Sequence, residues 1–329
     1  MTKDQILECL RKTEGFVSGQ QISDQLDLSR AAVWKAVQSL REDGYEIDSV
    51  TNRGYRLHAA TARLQEREIL RALGEHPWAK TVTVLSSVDS TNTLAKKLAA
   101  EGAPHGTVIM ADQQTGGRGR QGRSFLSLPS VGVYLSVLLR PKTTPERLMH
   151  LTAMTAVAAC NAVEQVAGIR PGIKWTNDLV IGRKKTAGIL TELSLEAESG
   201  TVDYAIIGIG VNCNHTEEDF PPDLRPIATS IRQETGKPVN RNLLAASLIR
   251  ELARAEREMF SKKSAWMKAY AAGCITIGQD VKILRGGTVR FAHADGVDED
   301  AALLVTYDDG TKAAVSSGEV SVRGMYGYL

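Results

Sequence analysis

The sequence predicts a multidomain α+β protein with an N-terminal winged helix-turn-helix, a central α/β domain built on a mixed sheet, and a small C-terminal β-barrel. Residues 1–62 show three amphipathic helices followed by two short strands. Helix and strand patterns then alternate over residues 63–275, which indicates layers of helices on a sheet. Residues 276–329 carry short strand patterns separated by turn residues. These three segments are the expected domains.

Composition indicates a soluble, globular protein. The chain has 329 residues, 43% of them hydrophobic, which is enough for two or three packed cores. We expect no secretion signal and no membrane partner, because no basic segment leads into an apolar run and no long uncharged apolar stretch occurs. Four scattered cysteines favour reduced thiols in a cytoplasm over a metal knuckle or a disulfide framework. The net charge of +2 does not by itself indicate a polyanionic partner.

The N-terminal module is predicted from capping residues and apolar spacing. A first helix is expected over residues 4–12, and Ser18 with Gln21 forms a capping box that opens a second helix. Ser29 is placed to cap a third helix that ends at Gly44. Two short strands follow, at residues 45–50 and 55–57. Three helices with a hairpin are typical of a winged helix-turn-helix.

The third helix, within a helix-turn-helix at about residues 19–38, is the candidate DNA-binding element. Its polar residues face solvent, where they can reach base edges or phosphates in a major groove. The candidates are Ser29, Arg30, Trp34, Lys35, Gln38 and Arg41, with Arg53 at the hairpin tip. Residues 1–60 carry eight Lys and Arg against nine Asp and Glu, so charge supports DNA binding only weakly. A helical module for protein contacts is the alternative.

The central and C-terminal segments are predicted as a mixed sheet with helices and as a small barrel. Expected strands of the central segment are 81–85, 107–113, 132–140, 186–196 and 204–209, and expected helices are 91–100, 146–167 and 241–271. The C-terminal segment is expected to form strands 280–284, 288–292, 302–307 and 312–316, with a turn at 308–310.

An arginine-glycine loop, Gly116 to Arg123, follows one of the central strands. It contains a literal GxGxxG, but a dinucleotide site would require the loop to open a helix and an acid about 20 residues on, where this chain has Lys142. The loop instead presents forked cationic donors on a bendable backbone, which suits phosphate or carboxylate oxygens. These donors are Arg118, Arg120 and Arg123. We expect the loop to close over an activated carboxylic acid, and a flexible solvated basic loop is the alternative.

Three more polar clusters lie at strand ends or helix starts. Ser90-Thr91-Asn92 begins a helix, where hydroxyls and free N–H groups can bind a small polar group or simply cap the helix. Lys174 to Asp178 ends a short strand with a cation, an amide and a carboxylate, which suits ATP phosphates and Mg²⁺ or a plain turn with an ion pair. Lys185 precedes an apolar strand, where its ammonium can meet a carboxylate.

The clusters together closely resemble the successive motifs of the biotin-protein ligase family, in particular its bacterial bifunctional branch, which also represses biotin operons. The matching motifs are Ser90-Thr91-Asn92, Gly117-Arg118-Gly119-Arg120, Lys174-Trp175-x-Asn177-Asp178, Lys185-x-Ala-Gly188-Ile-Leu190 and Gly208-Ile-Gly210-Val-Asn212. The resemblance spans essentially the whole chain. It implies a winged helix, a central domain like those of lipoate ligases and class II synthetases, and an SH3-like C-terminal barrel.

The resemblance also implies an activity and its partners. Biotin and ATP would form biotinyl-5'-AMP, and the biotinyl group would pass to a lysine of a biotin carboxyl carrier protein or a biotin-dependent carboxylase domain. The adenylate would be the corepressor of biotin genes, acting through operator DNA and a ligand-promoted homodimer. Mg²⁺ would accompany ATP, and no tightly bound, protein-ligated metal is implied.

Carried over residue by residue, the resemblance assigns roles to the clusters. Ser90, Thr91 and Gln114 would hydrogen-bond the ureido ring of biotin, and Lys185 would hold its carboxylate and then the acyl phosphate. Arg118 and Arg120 would order the loop over the adenylate. Further residues at biotin or its adenylate would be Asn92, Gly119, Gly188 and Leu190; those on the ATP side would be Gly117, Asn177 and Asn212, with Asp178 toward Mg²⁺.

Departures from the family pattern leave some assignments open. Thr176 stands where proline is common, and Gln113 and Gln114 offer two registers. Three other functions compete with the leading one: a lipoate or octanoate ligase, a biotin-sensing regulator with a dead ligase site, and a ligase whose helix-turn-helix no longer binds DNA.

Overall fold

The computed structural model describes residues 2–13, 15–42, 44–57, 63–285, 287–316 and 320–324. Its backbone divides into two compact units, Met1–Leu64 and Gln65–Leu329. The predicted boundary at residue 62 falls outside the described residues. Within the described ranges, no helix has the length and apolar character needed to cross a membrane.

The first unit is the predicted winged helix. Helices α1 (Thr2–Lys12), α2 (Gly19–Leu26) and α3 (Arg30–Glu42) are followed by an antiparallel hairpin of β1 (Ile47–Val50) and β2 (Gly54–Leu57). The capping box is present, since Ser18 Oγ accepts from the Gln21 amide and Gln21 Oε1 accepts from the Ser18 amide. Apolar residues of all three helices and the hairpin form one buried core.

Arg41 differs from its prediction as a solvent-facing residue. It is half-buried, and its guanidinium donates to the Ile47 carbonyl at 2.6 Å and 3.0 Å and to Ser49 Oγ at 2.8 Å. Arg41 therefore braces α3 against the hairpin.

The second unit is built on a seven-stranded mixed sheet. Its order is β3-β4-β5-β9-β8-β7-β6, with only β3 and β4 parallel among the described pairs. Strands β4 and β5 are buried along their whole length, as expected of continuous apolar runs that are covered on both faces. The strands are β3 (Val82–Leu85), β4 (Thr107–Ala111), β5 (Gly132–Leu139), β6 (Gly172–Lys174), β7 (Asp178–Ile181), β8 (Lys184–Leu195) and β9 (Val202–Asn212).

Six α-helices of the described residues accompany this sheet. The central one is α6, which is buried along most of its length and packs against α8 and α9. Helix α4 packs on α8, where Asn242 Oδ1 accepts from the Gln65 amide at 2.8 Å. The helices are α4 (Glu66–Leu73), α5 (Thr91–Ala100), α6 (Leu151–Ala167), α7 (Ile231–Thr235), α8 (Arg241–Glu258) and α9 (Lys263–Gly273).

Two predicted helices are wrong in extent. The helix expected over 241–271 is broken into α8 and α9, since the buried His150 ring lies 3.0 Å from the Met259 carbonyl and Glu258 accepts from Trp266 Nε1 at 3.0 Å. The contact with His150, about 110 residues away in sequence, occupies a carbonyl that an uninterrupted helix would use internally. The helix expected over 146–167 starts at Leu151, after a separate 3-10 turn, Pro145–Leu148.

The C-terminal part is a five-stranded antiparallel sheet of order β13-β12-β11-β10-β14. The turn predicted at 308–310 is present, with Gly310 at a φ of 80° and its amide donating to the Tyr307 carbonyl. Strand β11 runs five residues longer than expected, and β14 is an additional strand that the sequence patterns missed. The strands are β10 (Asp280–Arg285), β11 (Thr288–Val297), β12 (Leu303–Tyr307), β13 (Lys312–Val315) and β14 (Val320–Gly324).

A matched pair of glycines in the first unit provides a test of its packing. Both Gly15 and Gly54 have a φ near 100°, but a Cβ on Gly54 would overlap the Val17 carbonyl, whereas a Cβ on Gly15 meets nothing within 4 Å. We expect Gly54→Ala to lower the free energy of unfolding of this unit by about 2 kcal/mol more than Gly15→Ala does. Amide hydrogen exchange of residues 2–57 in the full chain measures the difference, and equal effects would contradict this packing.

Candidate active site

The polar clusters meet at one cavity on the seven-stranded sheet. It encloses about 470 Å³ of space, including its open mouth. Among the predicted site residues, its lining includes Ser90, Thr91, Asn92, Gln114, Arg118, Gly119, Arg120, Asn177, Lys185, Gly188 and Leu190. Gly117, Asp178 and Asn212 do not line it. Each of these three lies beside a lining residue or at the end of a lining strand.

The floor of the cavity is backbone, because glycines of β8 and β9 face one another. Gly188 pairs in register with Gly210. A Cβ on Gly210 would overlap the Phe125 ring, and a Cβ on Gly208 would overlap the amide of Asn92. Larger side chains at these positions would therefore displace the residues that form the cavity wall.

A network of neutral polar groups forms one end of the cavity. The amide and hydroxyl of Thr91 both donate to Gln114 Oε1, at 2.8 Å and 3.0 Å. Gln114 Nε2 donates to Ser127 Oγ at 2.8 Å, and Ser136 Oγ lies 2.8 Å from Thr91 Oγ1. Ser90 caps α5 beside them. This end offers paired donors and acceptors to a small neutral ligand, and it is Gln114 rather than Gln113 that lines the cavity.

The side chain of Asn92 makes its hydrogen bonds within the wall at this end of the cavity. It is 5% exposed, its Oδ1 lies 2.6 Å from Ser136 Oγ, and its Nδ2 donates to Glu192 Oε2 at 2.8 Å. Glu192 in turn pairs with Lys96 at 2.6 Å. Asn92 therefore fixes the start of α5 against β5 and β8.

The opposite end of the cavity is charged. Lys185 Nζ lies 2.7 Å from Asp178 Oδ1, and Asn177 Nδ2 donates to the same oxygen at 3.1 Å. Arg120 Nη1 donates to Asn177 Oδ1 at 3.0 Å. Burial lowers the pKa of Arg120, and the negative charge of Asp178 acts against that shift. Because arginine stays protonated in proteins, two cations and one carboxylate meet here, and the excess positive charge suits an anionic ligand.

The turn that carries Asn177 and Asp178 connects β6 to β7, and residues distant in sequence hold it. Trp175 Nε1 donates to the Ala301 carbonyl at 2.9 Å, and the Trp175 amide donates to Thr276 Oγ1 at 2.9 Å. Tyr270 Oη donates to the Thr176 carbonyl at 3.1 Å. Thr176, which stands at the family's proline position, thus contributes a buried backbone acceptor.

The arginine-glycine loop folds back on the residues that follow it. The Phe125 amide donates to the Gly117 carbonyl at 2.9 Å, and the Gly119 amide donates to the Arg123 carbonyl at 2.7 Å. A Cβ on Gly117 would lie 2.5 Å from the Phe125 carbonyl, so this position admits only glycine without a backbone shift. Arg118 and Arg123 are exposed.

Asn212 stands apart from the cavity in this structure. It is 6% exposed at the end of β9, and its Nδ2 donates to the Thr229 carbonyl at 3.1 Å. The bond ties the strand end to the segment that leads into α7.

The sequence patterns did not predict Phe125, which lines the cavity, or Ser127 and Ser136, which hydrogen-bond residues of the lining. Phe125 lines the cavity and meets Tyr134 edge to face, with ring centroids 6.4 Å apart. Phe125 and Ser127 lie in a stretch without periodicity, and Ser136 lies within an apolar strand. An aromatic residue just after a loop of arginines was the one available signal.

The DNA-binding candidates form an exposed surface on the first unit. Trp34 is 58% exposed, and Arg30 and Lys35 are exposed beside it, whereas Gln38 is half-buried. Ser29 caps α3 by accepting from the Ala32 amide at 3.1 Å. At the hairpin, the Arg53 guanidinium lies 4.7 Å from the Phe16 ring centroid. Arg56 lies on the same ring at the same distance and pairs with Asp48 at 2.6 Å.

Comparisons with known proteins agree with this architecture. Three family models match in chain order: an HTH domain over residues 2–56, the biotin/lipoate A/B protein ligase family over 84–212, and the biotin protein ligase C-terminal domain over 276–323.

Relatives and solved structures extend the agreement to whole proteins. The chain is 37% identical to the bifunctional ligase/repressor BirA of Bacillus subtilis, over 92% of this chain and 93% of that protein. It is 31% identical to the Escherichia coli protein of the same name, over 94% and 93%. A biotin protein ligase from Aquifex aeolicus, solved with biotin and ATP, superposes with a TM-score of 0.63 at 29% identity, covering 74% of this chain and 99% of that one. The resemblance predicted from the motifs is confirmed, and the chain belongs to the family of bifunctional BirA ligase/repressors.

Proposed function

We propose that the chain joins biotin to ATP as biotinyl-5'-AMP, transfers the biotinyl group to a lysine of a biotin carboxyl carrier protein or a carboxylase domain, and represses biotin genes with the adenylate as corepressor. One observation carries the ligase half: a single cavity has paired neutral donors and acceptors at one end and an excess of cationic charge at the other. Biotin is a neutral ureido ring with a carboxylate at its far end, so its polarity matches the cavity.

The chemistry follows from that orientation. With the ureido ring at Thr91 and Gln114, the carboxylate lies toward Lys185. A carboxylate oxygen attacks the α-phosphorus of ATP. The bond between this phosphorus and the oxygen that bridges it to the β-phosphate breaks, and pyrophosphate leaves. Lys185 and Arg120 stabilise the negative charge that develops between the carboxylate and the phosphates. The Asp178 carboxylate holds the Lys185 ammonium in place.

Transfer completes the reaction. A neutral lysine amine of the acceptor attacks the acyl carbon of the mixed anhydride, an amide bond forms, and AMP and one proton are released. Arg118 and Arg120, on a loop that glycines allow to close, would shield the anhydride from water before the acceptor arrives.

Magnesium would enter with ATP. Carboxylate and amide oxygens are ligands that Mg²⁺ prefers, so Asp178 and Asn177 are the residues that fit it. Within the described ranges, no three His, Cys, Asp or Glu side chains are grouped to hold a metal ion. Asp178 and Asn177 would contact an ion that ATP brings and that helps to neutralise its phosphates.

Regulation is assigned to the first unit. The exposed surface of α3 and the stacked arginines of the hairpin support operator binding, and we propose that the adenylate promotes a homodimer that binds two half-sites.

We propose domains 1–62, 63–275 and 276–329, supported by the family matches at 2–56, 84–212 and 276–323. Four free, buried cysteines support a reducing compartment, the cytoplasm. The names of the relatives favour biotin over lipoate.

The ligase half is tested by biotin-dependent exchange of label between pyrophosphate and ATP. We expect exchange with biotin and none with lipoate, and we expect Lys185→Met to lower the rate at least about 100-fold. Lys184→Met is the matched control, since Lys184 is the preceding residue and does not line the cavity. Absence of biotin-dependent exchange in the unaltered protein would refute the ligase function.

The loop is tested at Gly117. Because a side chain there must displace the Phe125 carbonyl, Gly117→Val should shorten the lifetime of bound biotinyl-5'-AMP and weaken biotin-dependent repression together. Gly116→Ala serves as the control, since its Cβ would meet the Asp89 carbonyl at an ordinary 3.4 Å. If Gly117→Val altered neither property, the loop would not link ligand retention to repression.

DNA binding is tested by a gel shift with DNA from upstream of the gene that encodes the protein, with and without biotin and ATP. We expect biotin and ATP together to tighten binding, and Lys35→Ala to weaken it and to reduce the slope of log affinity against log salt by about 1. Lys12→Ala, an exposed change on α1, should leave affinity unchanged. A protein that transfers biotin yet shifts no DNA would be a ligase without a regulatory role.

A further inference from the structure

The connection from β4 to β5, residues 112–131, carries much of the cavity lining. Gln114, Arg118, Arg120 and Phe125 all belong to it. Connections of this length are uncommon in compact domains unless they are functional, and their ends must be held if the segment is to keep its geometry.

Both ends of this connection meet one buried arginine. Arg241 Nη2 donates to Asp112 Oδ1 at 2.7 Å, directly after β4, and Arg241 Nε donates to the Gly132 carbonyl at 2.7 Å, at the first residue of β5. The second oxygen of Asp112 accepts from the amide and hydroxyl of Ser130, at 3.1 Å and 3.3 Å. One ion pair thus joins the two ends of the segment and its last turn.

Both members of this ion pair are buried. Arg241 is 1% exposed and Asp112 is 8% exposed. Burial raises the pKa of the nearby Cys213 thiol to about 12 and lowers the pKa of His215 to about 4, so both are neutral near pH 7. Neither neighbour adds a charge beside the ion pair of Arg241 with Asp112. A buried charged pair costs desolvation that well-packed apolar residues would not, so packing alone gives little reason for it.

We propose that Arg241 is a positioning residue of the ligase site: through Asp112 and Gly132 it fixes the two ends of residues 112–131 and so places Gln114 and the arginine-glycine loop for the ligand. Arg241 is the first residue of α8 and does not line the cavity. Its forked guanidinium is suited to the task, because two of its nitrogens reach one acceptor just after β4 and another on β5 at once.

Steady-state kinetics separate positioning from a purely structural role, and this test rests on the proposed ligase function. Arg241→Lys keeps the charge but cannot span both acceptors, and the double change Asp112→Leu with Arg241→Met removes both charges, so that none is left unpaired. Arg241→Lys should raise the KM for biotin about threefold and the double variant about tenfold, while kcat is little changed in both. Arg254→Met, on the exposed part of the same helix, is the control.

Hydrogen exchange without any ligand tests the same inference independently of activity. Amides of residues 113–131 should exchange faster in both variants than in the unaltered protein, whereas amides of β4 and β5 should exchange at the same rate. A lower melting temperature with unchanged KM and unchanged protection of 113–131 would overturn the proposal. If the unaltered protein showed no biotin-dependent exchange of pyrophosphate, the ligase function would fail, and the protection of 113–131 would still decide whether Arg241 holds the segment.

Discussion

The ligase unit depends on a floor of bare backbone in the middle of a buried sheet. Where β8 and β9 pair, Gly188, Gly208 and Gly210 leave room that side chains would fill, and the sheet carries a cavity there. Phe125 packs against Gly188 and Gly210, and Asn92 packs against Gly208. The other residues of the site surround this space, because the strands on both sides fix the positions of the cavity walls.

Polarity is divided along the cavity, and the division follows the secondary structure. The start of α5 supplies neutral groups, which need no counter-charge when buried. The turn between β6 and β7 and the start of β8 supply Asp178, Asn177 and Lys185, which satisfy one another at the charged end. A ligand that is neutral at one end and anionic at the other fits only in one orientation. Orientation is what an adenylation reaction requires, since the carboxylate must face the phosphate.

Local signals in the sequence predicted local structure well. Helix α5 was placed at its observed bounds because Ser90 is a cap that acts within one turn, and the motif residues were placed at strand ends because apolar runs stop there. Features set by distant partners were missed. The break after Glu258 depends on His150, about 110 residues earlier, and the role of Arg241 depends on strands more than 100 residues away. No local pattern marks either contact.

We propose that five separated motifs form one binding site for biotinyl-5'-AMP. Amide hydrogen exchange of the full chain, with and without the adenylate, tests it most directly. Protection should rise together in residues 90–92, 113–125, 177–190 and 208–212, with the largest gain in 113–125, where a long loop closes over the ligand. Bound adenylate that left 113–125 unprotected, or that protected none of the other three segments, would contradict this.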